Sequence, residues 1–229
     1  MTEEELRDQL ATMCRMLDNQ GVIGMFGHVS LRVPGTDRVL LTPGAGSDKG
    51  AVRPEQLLVF DIDGGMLDNP GDEIPIEWRI HTQVHRDRPE IMCIAHLHAP
   101  YARLLGVAGK DIAPVFMHGG FLHAGVPTYP SARLVVDDSS AAALSRALGN
   151  QPAVAMRGHG VVVAALTIKE AFFYCTFLEE NARIQVEAAA LGGASPLDEQ
   201  EARDCAAGTL NDRLFNLLWG YHARRAQLP

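Results

Sequence analysis

His96 and His98 stand one residue apart in CIAHLHAP, at the end of an apolar run, and their type and spacing raise the question of chemistry. Alternate side chains of a β-strand share a face, which sets the two rings side by side, about 7 Å apart at Cα. That spacing suits two ligands of one metal ion, and it equally suits a polar strand end. A third histidine, His159, sits between glycines in RGHGV, at a break in an otherwise apolar segment. Flanking glycines let the backbone turn sharply and approach a ligand, although a core histidine bonded to a carbonyl fits the same position. Three neutral imidazoles on rigid strand ends make a site for Zn²⁺ or a similar divalent ion, with a coordination position left for substrate. Such a site needs a proton-transfer group. Glu77, flanked by Pro75, Ile76 and Trp78 at an expected helix start, is the candidate, while the helix dipole alone also favours an acidic residue in a first turn.

The elements that would position these residues alternate between helical and extended patterns. Thr2 and Glu5 form a capping box for a first helix with Leu6, Leu10, Met13 and Leu17 on one stripe, ending at Gly21. HVSLRV (28–33) and RVLLT (38–42) read as a hairpin, followed by the glycine-rich PGAGSDKGA. QLLVFDIDGGML (56–67) reads as a buried strand ending in an Asp-Gly turn, and PIEWRIHTQVHRDRP (75–89) as a helix. EIMCIAHLH is a strand leading into a helix from Pro100 to about Leu105, and DDSSAAALSRAL is a further helix. AVAMRGHGVVVAA (153–165) is deeply apolar, and a long helix follows it, opened by Thr167 with Glu170. Helices alternating with apolar strands predict an α/β fold, a mixed central sheet between helical layers. No repeat or linker interrupts the chain, so residues 1–229 read as one domain, with a helical extension from about residue 197. Its stripe of Leu210, Leu214, Leu217, Leu218 and Tyr221 would cover either a neighbour's site or its own core.

Composition narrows the partners. A net charge of −8 without a basic stripe argues against nucleic acid and for a small-molecule partner. No apolar stretch has the length of a membrane span, and Met1 leads into the acidic TEEEL rather than a secretion signal. Four cysteines without a C-x-x-C pair fit a reduced, cytoplasmic protein.

GHVSLR, TPGAG, IEWRIH, HLH with APYA, and RGHGVVV followed by EENARIQ occur in an order that resembles the class II aldolase/adducin family over roughly residues 5 to 190. The resemblance implies a three-layer α/β/α domain and a homotetramer with active sites near subunit boundaries. It also implies one divalent ion per subunit, Zn or Mn with Fe or Co as further options, held by His96, His98 and His159, and an acid/base at Glu77. The chain departs from the sugar-phosphate aldolases of that family where they place an Asn, a Ser and a Ser-Ser pair around phosphate. Those places hold His28, Gly44, and Pro75 with Ile76. An apolar Pro-Ile pair cannot donate the hydrogen bonds a phosphate dianion requires.

The expected pocket is therefore flatter and more apolar, with His28 on the substrate's anionic edge and Ser30, Arg32, Thr42, His118 and Tyr101 as candidate contacts. It resembles the branch that decarboxylates ortho-hydroxylated aromatic or pyridine carboxylates. The expectation is a metal-dependent carbon–carbon lyase of that kind acting on a small anionic substrate. An aldolase for a non-phosphorylated hydroxy-carbonyl compound and a non-catalytic adducin-like binding module are the alternatives. His81 is expected either to orient Glu77 or to pack, and His85 and His222 to be solvated.

Overall fold

A computed structural model describes residues 1–226. Helix α1 (Glu3–Asn19) opens with the expected capping box: Thr2 accepts from the Glu5 amide at 3.2 Å and Glu5 accepts from the Thr2 amide at 2.7 Å. Strands β1 (His28–Arg32), β2 (Arg38–Leu41), β3 (Leu58–Asp61) and β4 (Met66–Asp68) follow as an antiparallel meander. Then come α2 (Arg79–Asp87), β5 (Cys93–Leu97), α3 (Pro100–Val107), β6 (Thr128–Tyr129), α4 (Asp138–Leu148), β7 (Ala153–Met156), β8 (Gly160–Ala165), α5 (Ile168–Glu187), α6 (Glu199–Thr209) and α7 (Asp212–Arg225). The strands form one sheet in the order β4-β3-β2-β1-β5-β8-β7-β6, antiparallel throughout except for β6 against β7.

Alternation along the central strands sorts side chains onto two faces. Val29, Leu31, Ala95, Leu97, Val161 and Val163 point into one core, shared with α1, α3 and α5. Ile94, Val154, Val162 and Ala164 point to the other, beneath α2 and α4. The result is a three-layer α/β/α arrangement. His28, Ser30 and Arg32 alternate with Val29 and Leu31, so they occupy the α2 face of β1. His96 stands directly opposite His28 on β5, on that same face.

Two boundaries differ from the sequence pattern. Helix α2 begins at Arg79, because Pro75–Trp78 forms a turn closed by the Trp78 amide on the Pro75 carbonyl at 3.1 Å. Glu77 thus lies in that turn. The segment read as one buried strand is a β3–β4 pair whose second strand is exposed.

The EENARIQ stretch of α5 is structural. Glu179 accepts the amides of Tyr101 and Ala102 at 2.7 and 2.9 Å, capping α3 in place of a local side chain. Asn181 and Gln185 hold the backbone between residues 111 and 115. In the C-terminal segment Leu210, Leu214 and Leu218 pack on their own core, while Leu217 and Tyr221 are exposed. Among the described residues no helix is long and apolar enough to cross a membrane.

Candidate metal centre and substrate cavity

Four side chains converge where β5 ends. His96 reaches the α2 face from β5, and His98, two residues on, follows it just past the strand, its amide bonded to the Ile23 carbonyl at 3.2 Å. His159 arrives from the tight β7–β8 connection, where Gly158 has φ +69° and the His159 amide bonds the Met156 carbonyl at 3.0 Å. A Cβ at Gly160 would collide with the Leu97 carbonyl, so this glycine lets β8 close against the end of β5 rather than against a ligand. Glu77 comes from the turn before α2. One of its oxygens accepts the Val135 amide at 2.8 Å, which aims the other at the histidines.

That second oxygen, Oε2, lies 3.4 Å from His96 Nε2 and 3.3 Å from His159 Nε2, and the Nε2 atoms of His96 and His98 are 3.1 Å apart. All four ligand atoms fall within 4.8 Å of one another. The three imidazoles stand nearly perpendicular in pairs, their centroids 5.0 to 5.1 Å apart. Nδ1 of His96 and of His159 is buried and meets no hydrogen-bond partner among the described residues, so only contacts at Nε2 bear on the tautomer of either ring.

Burial pushes the Glu77 carboxyl upward, but hydrogen bonds with His159 and His96 outweigh it and hold the group well below the usual carboxylate range. Burial, with His96 and His159 adding to it, lowers His98 to about 4. Three imidazole nitrogens and a carboxylate oxygen thus face one point. A divalent cation satisfies all of them, and an N₃O donor set accommodates Zn, Mn, Fe or Co.

Beside this quartet lies a cavity of about 290 Å³, lined by Phe26, His28, Gly44, Glu73, Ile76 and Leu134 as well as Glu77 and His98. Its apolar walls come from loops whose hydrophobic residues carry no periodic signal, so Phe26 and Leu134 are not found by sequence patterns. Gly44 donates to the Glu73 carbonyl at 2.6 Å, and Gly46 donates to a Glu73 carboxylate oxygen at 2.7 Å. The buried Lys49 ammonium binds the carbonyls of Pro43 and Gly44. Glu73 therefore holds two of the loop amides, Gly44 through its carbonyl and Gly46 through its carboxylate. A larger groove of about 760 Å³ runs between Met117 and α6–α7, but none of the four converging side chains reaches it.

Other expected contacts lie elsewhere. Ser30 and Arg32 are buried beneath α2. Ser30 bonds His81 at 2.7 Å and His85 at 3.0 Å, and Arg32 donates to the carbonyls of His85 and Ile91. Thr42 accepts the Val29 amide at 2.9 Å and is buried. None of the three lines the cavity. His118 stacks on Phe177 at 4.4 Å and lines the larger groove. Tyr101, in α3, lies against α5, its hydroxyl 3.3 Å from Glu187. His81 bonds His28 at 2.6 Å instead of Glu77, His85 is fully buried rather than solvated, and His222 packs edge-on against Phe172.

The model of the Class II Aldolase and Adducin N-terminal domain matches residues 8–186. A 3,4-dihydroxyphthalate decarboxylase from Arthrobacter keyseri is 31% identical over 207 residues, covering 85% of this chain and 83% of that protein. The enzyme of that name from Terrabacter sp. is 32% identical, covering 88% and 87%. An L-fuculose 1-phosphate aldolase structure from Glaciozyma antarctica superposes with a TM-score of 0.85 over 98% of this chain and 89% of that one, at 20% identity, which speaks for the fold alone. With a family match over most of its length and relatives above 30% identity, the chain belongs to the class II aldolase and adducin family.

Proposed function

We propose that the protein is a divalent-metal-dependent carboxy-lyase acting on a hydroxylated aromatic or heteroaromatic carboxylate. The observation that carries this reading is the Glu77–His96–His98–His159 cluster at the end of an apolar-walled cavity that holds the Glu73 carboxylate in its wall. The decarboxylases among its relatives support the reaction class.

When bound, a divalent ion supplies Lewis-acid chemistry that draws off the electron density left when a carbon–carbon bond breaks. The protein's own residues do the rest. Phe26, Ile76 and Leu134 receive the flat face of a ring and exclude water from it. Glu77, ionised at rest, takes the proton of the substrate hydroxyl. As CO₂ departs, the electron pair of the broken bond stays on the ring carbon, and Glu77 returns the proton there. A phosphorylated sugar finds the Gly44 and Gly46 amides already bonded to Glu73 and meets that carboxylate's negative charge beside them.

The proposal includes a homotetramer with the cavity mouth near a subunit boundary. Phe26, Ile76 and Leu134 at that mouth are 58%, 62% and 52% exposed, an apolar rim that a neighbouring subunit would cover. Light scattering of the purified protein tests the assembly. The deciding experiment combines metal analysis with parallel assays for CO₂ from ortho-hydroxy aromatic acids and for aldehyde from fuculose- or ribulose-type phosphates. CO₂ from an acid in the metal-loaded protein is the expected result. Aldehyde from a sugar phosphate with no CO₂ from any acid would replace this reading with an aldolase.

A further inference from the structure

Beneath α2 runs an unbroken chain of buried hydrogen bonds that begins at the cavity wall. His28 Nδ1 meets His81 Nε2 at 2.6 Å, His81 Nδ1 meets Ser30 Oγ at 2.7 Å, Ser30 Oγ meets His85 Nε2 at 3.0 Å, and His85 Nδ1 meets the Ile91 carbonyl at 3.3 Å. His81, His85 and Ser30 have no exposed surface, and His28 only 2%. Its last member determines the direction of every bond. A carbonyl only accepts, so His85 carries its proton on Nδ1 and offers a bare Nε2 to Ser30. Ser30 has one proton, which it gives to His85, and so must accept from His81 Nδ1–H. His81 Nε2 is then bare and must accept from His28 Nδ1–H.

We propose that this chain locks His28 in the Nδ1–H tautomer, so that Nε2 faces the cavity as a hydrogen-bond acceptor and selects a substrate hydroxyl, distinct from the one Glu77 deprotonates, rather than a carboxylate oxygen. His28 Nε2 makes no hydrogen bond to another described residue and His28 lines the cavity, which leaves that atom for a ligand. The inference rests on the carboxy-lyase reading only for the identity of the hydroxyl. It also reverses the expectation that His28 holds the anionic edge of the substrate.

The chain positions; it does not conduct. Passing a proton from His28 along the same bonds would leave His85 charged, fully buried, beside the Arg32 guanidinium, which donates to its backbone carbonyl. Burial, with Arg32 adding to it, already lowers His85 to about 3. His81, Ser30 and His85 are thus positioning residues acting through His28.

The test is long-range ¹H–¹⁵N NMR of the histidine rings in the zinc-loaded full-length protein near neutral pH, without substrate. His28 is expected to show a protonated Nδ1 and a bare Nε2. Ser30→Ala is expected to turn that pattern into a mixture and to lower kcat about 10- to 100-fold at unchanged metal content, the usual worth of an orienting partner of a functional histidine. Ser30→Thr, which keeps the hydroxyl, restores both. A proton on His28 Nε2 in the wild type overturns the proposal outright, whether or not the variants fold. Ser30→Ala leaving both the ring pattern and kcat unchanged also overturns it. The ring measurement needs no turnover, so a failed CO₂ assay removes the carboxy-lyase reading while leaving the tautomer question decided separately.

Discussion

Six histidines crowd one end of the same sheet face, and they divide into two sets by what their nitrogens meet. In the relay of His28, His81 and His85, every nitrogen but one has a protein partner, and the chain ends on a backbone carbonyl. In the cluster of His96, His98 and His159, inner nitrogens face one another and a carboxylate, and two outer nitrogens meet no partner among the described residues. All but the half-buried His98 are buried, and residue type does not separate the sets. A buried polar group needs a partner. The relay finds its partners within the chain, whereas the cluster gathers four ligand atoms that could hold a cation from outside.

The sharpest way to break this division is to remove one member of the cluster. His96→Ala, His98→Ala and His159→Ala are each expected to drop bound metal from about one ion per chain to a small fraction, with activity lost and far-ultraviolet circular dichroism preserved. The strands keep their apolar residues, so the fold has no reason to fail. Stoichiometric metal in all three variants would dissolve the distinction between the sets. Glu77→Gln comes next: the amide keeps the shape but cannot exchange a proton, so metal stays while kcat falls about 10²–10⁴-fold. Unchanged turnover would take Glu77 out of the chemistry.

These predictions use residues that the sequence makes visible, and it is instructive which ones it does not. His96 and His98 are legible because strand alternation alone puts them on one face, and His159 because glycines on both sides isolate it in an apolar run. The three-layer fold is legible for the same reason, through periodicity. The contacts assigned to Ser30, Arg32 and Thr42 fail, because alternation gives the face of a strand but not what covers it. Here α2 covers β1, and its His81 and His85 claim Ser30, while their backbone claims Arg32. His85 looks solvated from its basic, polar neighbourhood HRDRP, yet the helix turns it inward. Phe26, Glu73 and Leu134 reach the cavity from loops, where no period announces a residue's direction.

A middle-sized effect, common to buried members of both sets, is read by pH in the metal-free protein. Burial lowers His28 and His81 well below 6.5, His85 to about 3 and His98 to about 4, so these rings stay neutral in the fold while the unfolded chain protonates near 6.5. The unfolded state then binds more protons, and each ring costs up to about 1.4 kcal/mol of stability per pH unit as pH falls below that value. The loss runs to about pH 4 for His98 and to about pH 3 for His85. Glu77 acts in the same sense, since its depressed carboxyl contributes stability that disappears as pH falls. Urea unfolding of chelator-treated protein at pH 7 and pH 5 reads the slope. His85→Phe is expected to narrow the difference between the two pH values by about 2 kcal/mol. An unchanged difference would mean that His85 does not belong to the neutral, buried set.

The smallest effect is expected at Tyr101, and it tests where the cavity stops. Its amide is held by Glu179 and its hydroxyl meets Glu187 at 3.3 Å on the exposed side of α5, away from the walls formed by Phe26, Ile76 and Leu134. Removing that hydroxyl forfeits one solvent-accessible hydrogen bond, worth at most about 1 kcal/mol. Tyr101→Phe should therefore leave metal content unchanged and kcat/KM within about twofold of wild type, since the lost bond touches neither set of histidines. His28→Ala provides the contrast, because it removes the one relay nitrogen left for a ligand: KM should rise, kcat fall, or both, without loss of metal. If Tyr101→Phe instead raises KM severalfold while kcat holds, its hydroxyl binds substrate uniformly in the ground and transition states. Since it does not reach the cavity of its own chain, it would then be serving the cavity of a neighbouring subunit. The site would gain a third group of residues, and the division into two histidine sets would describe only the part that one chain supplies.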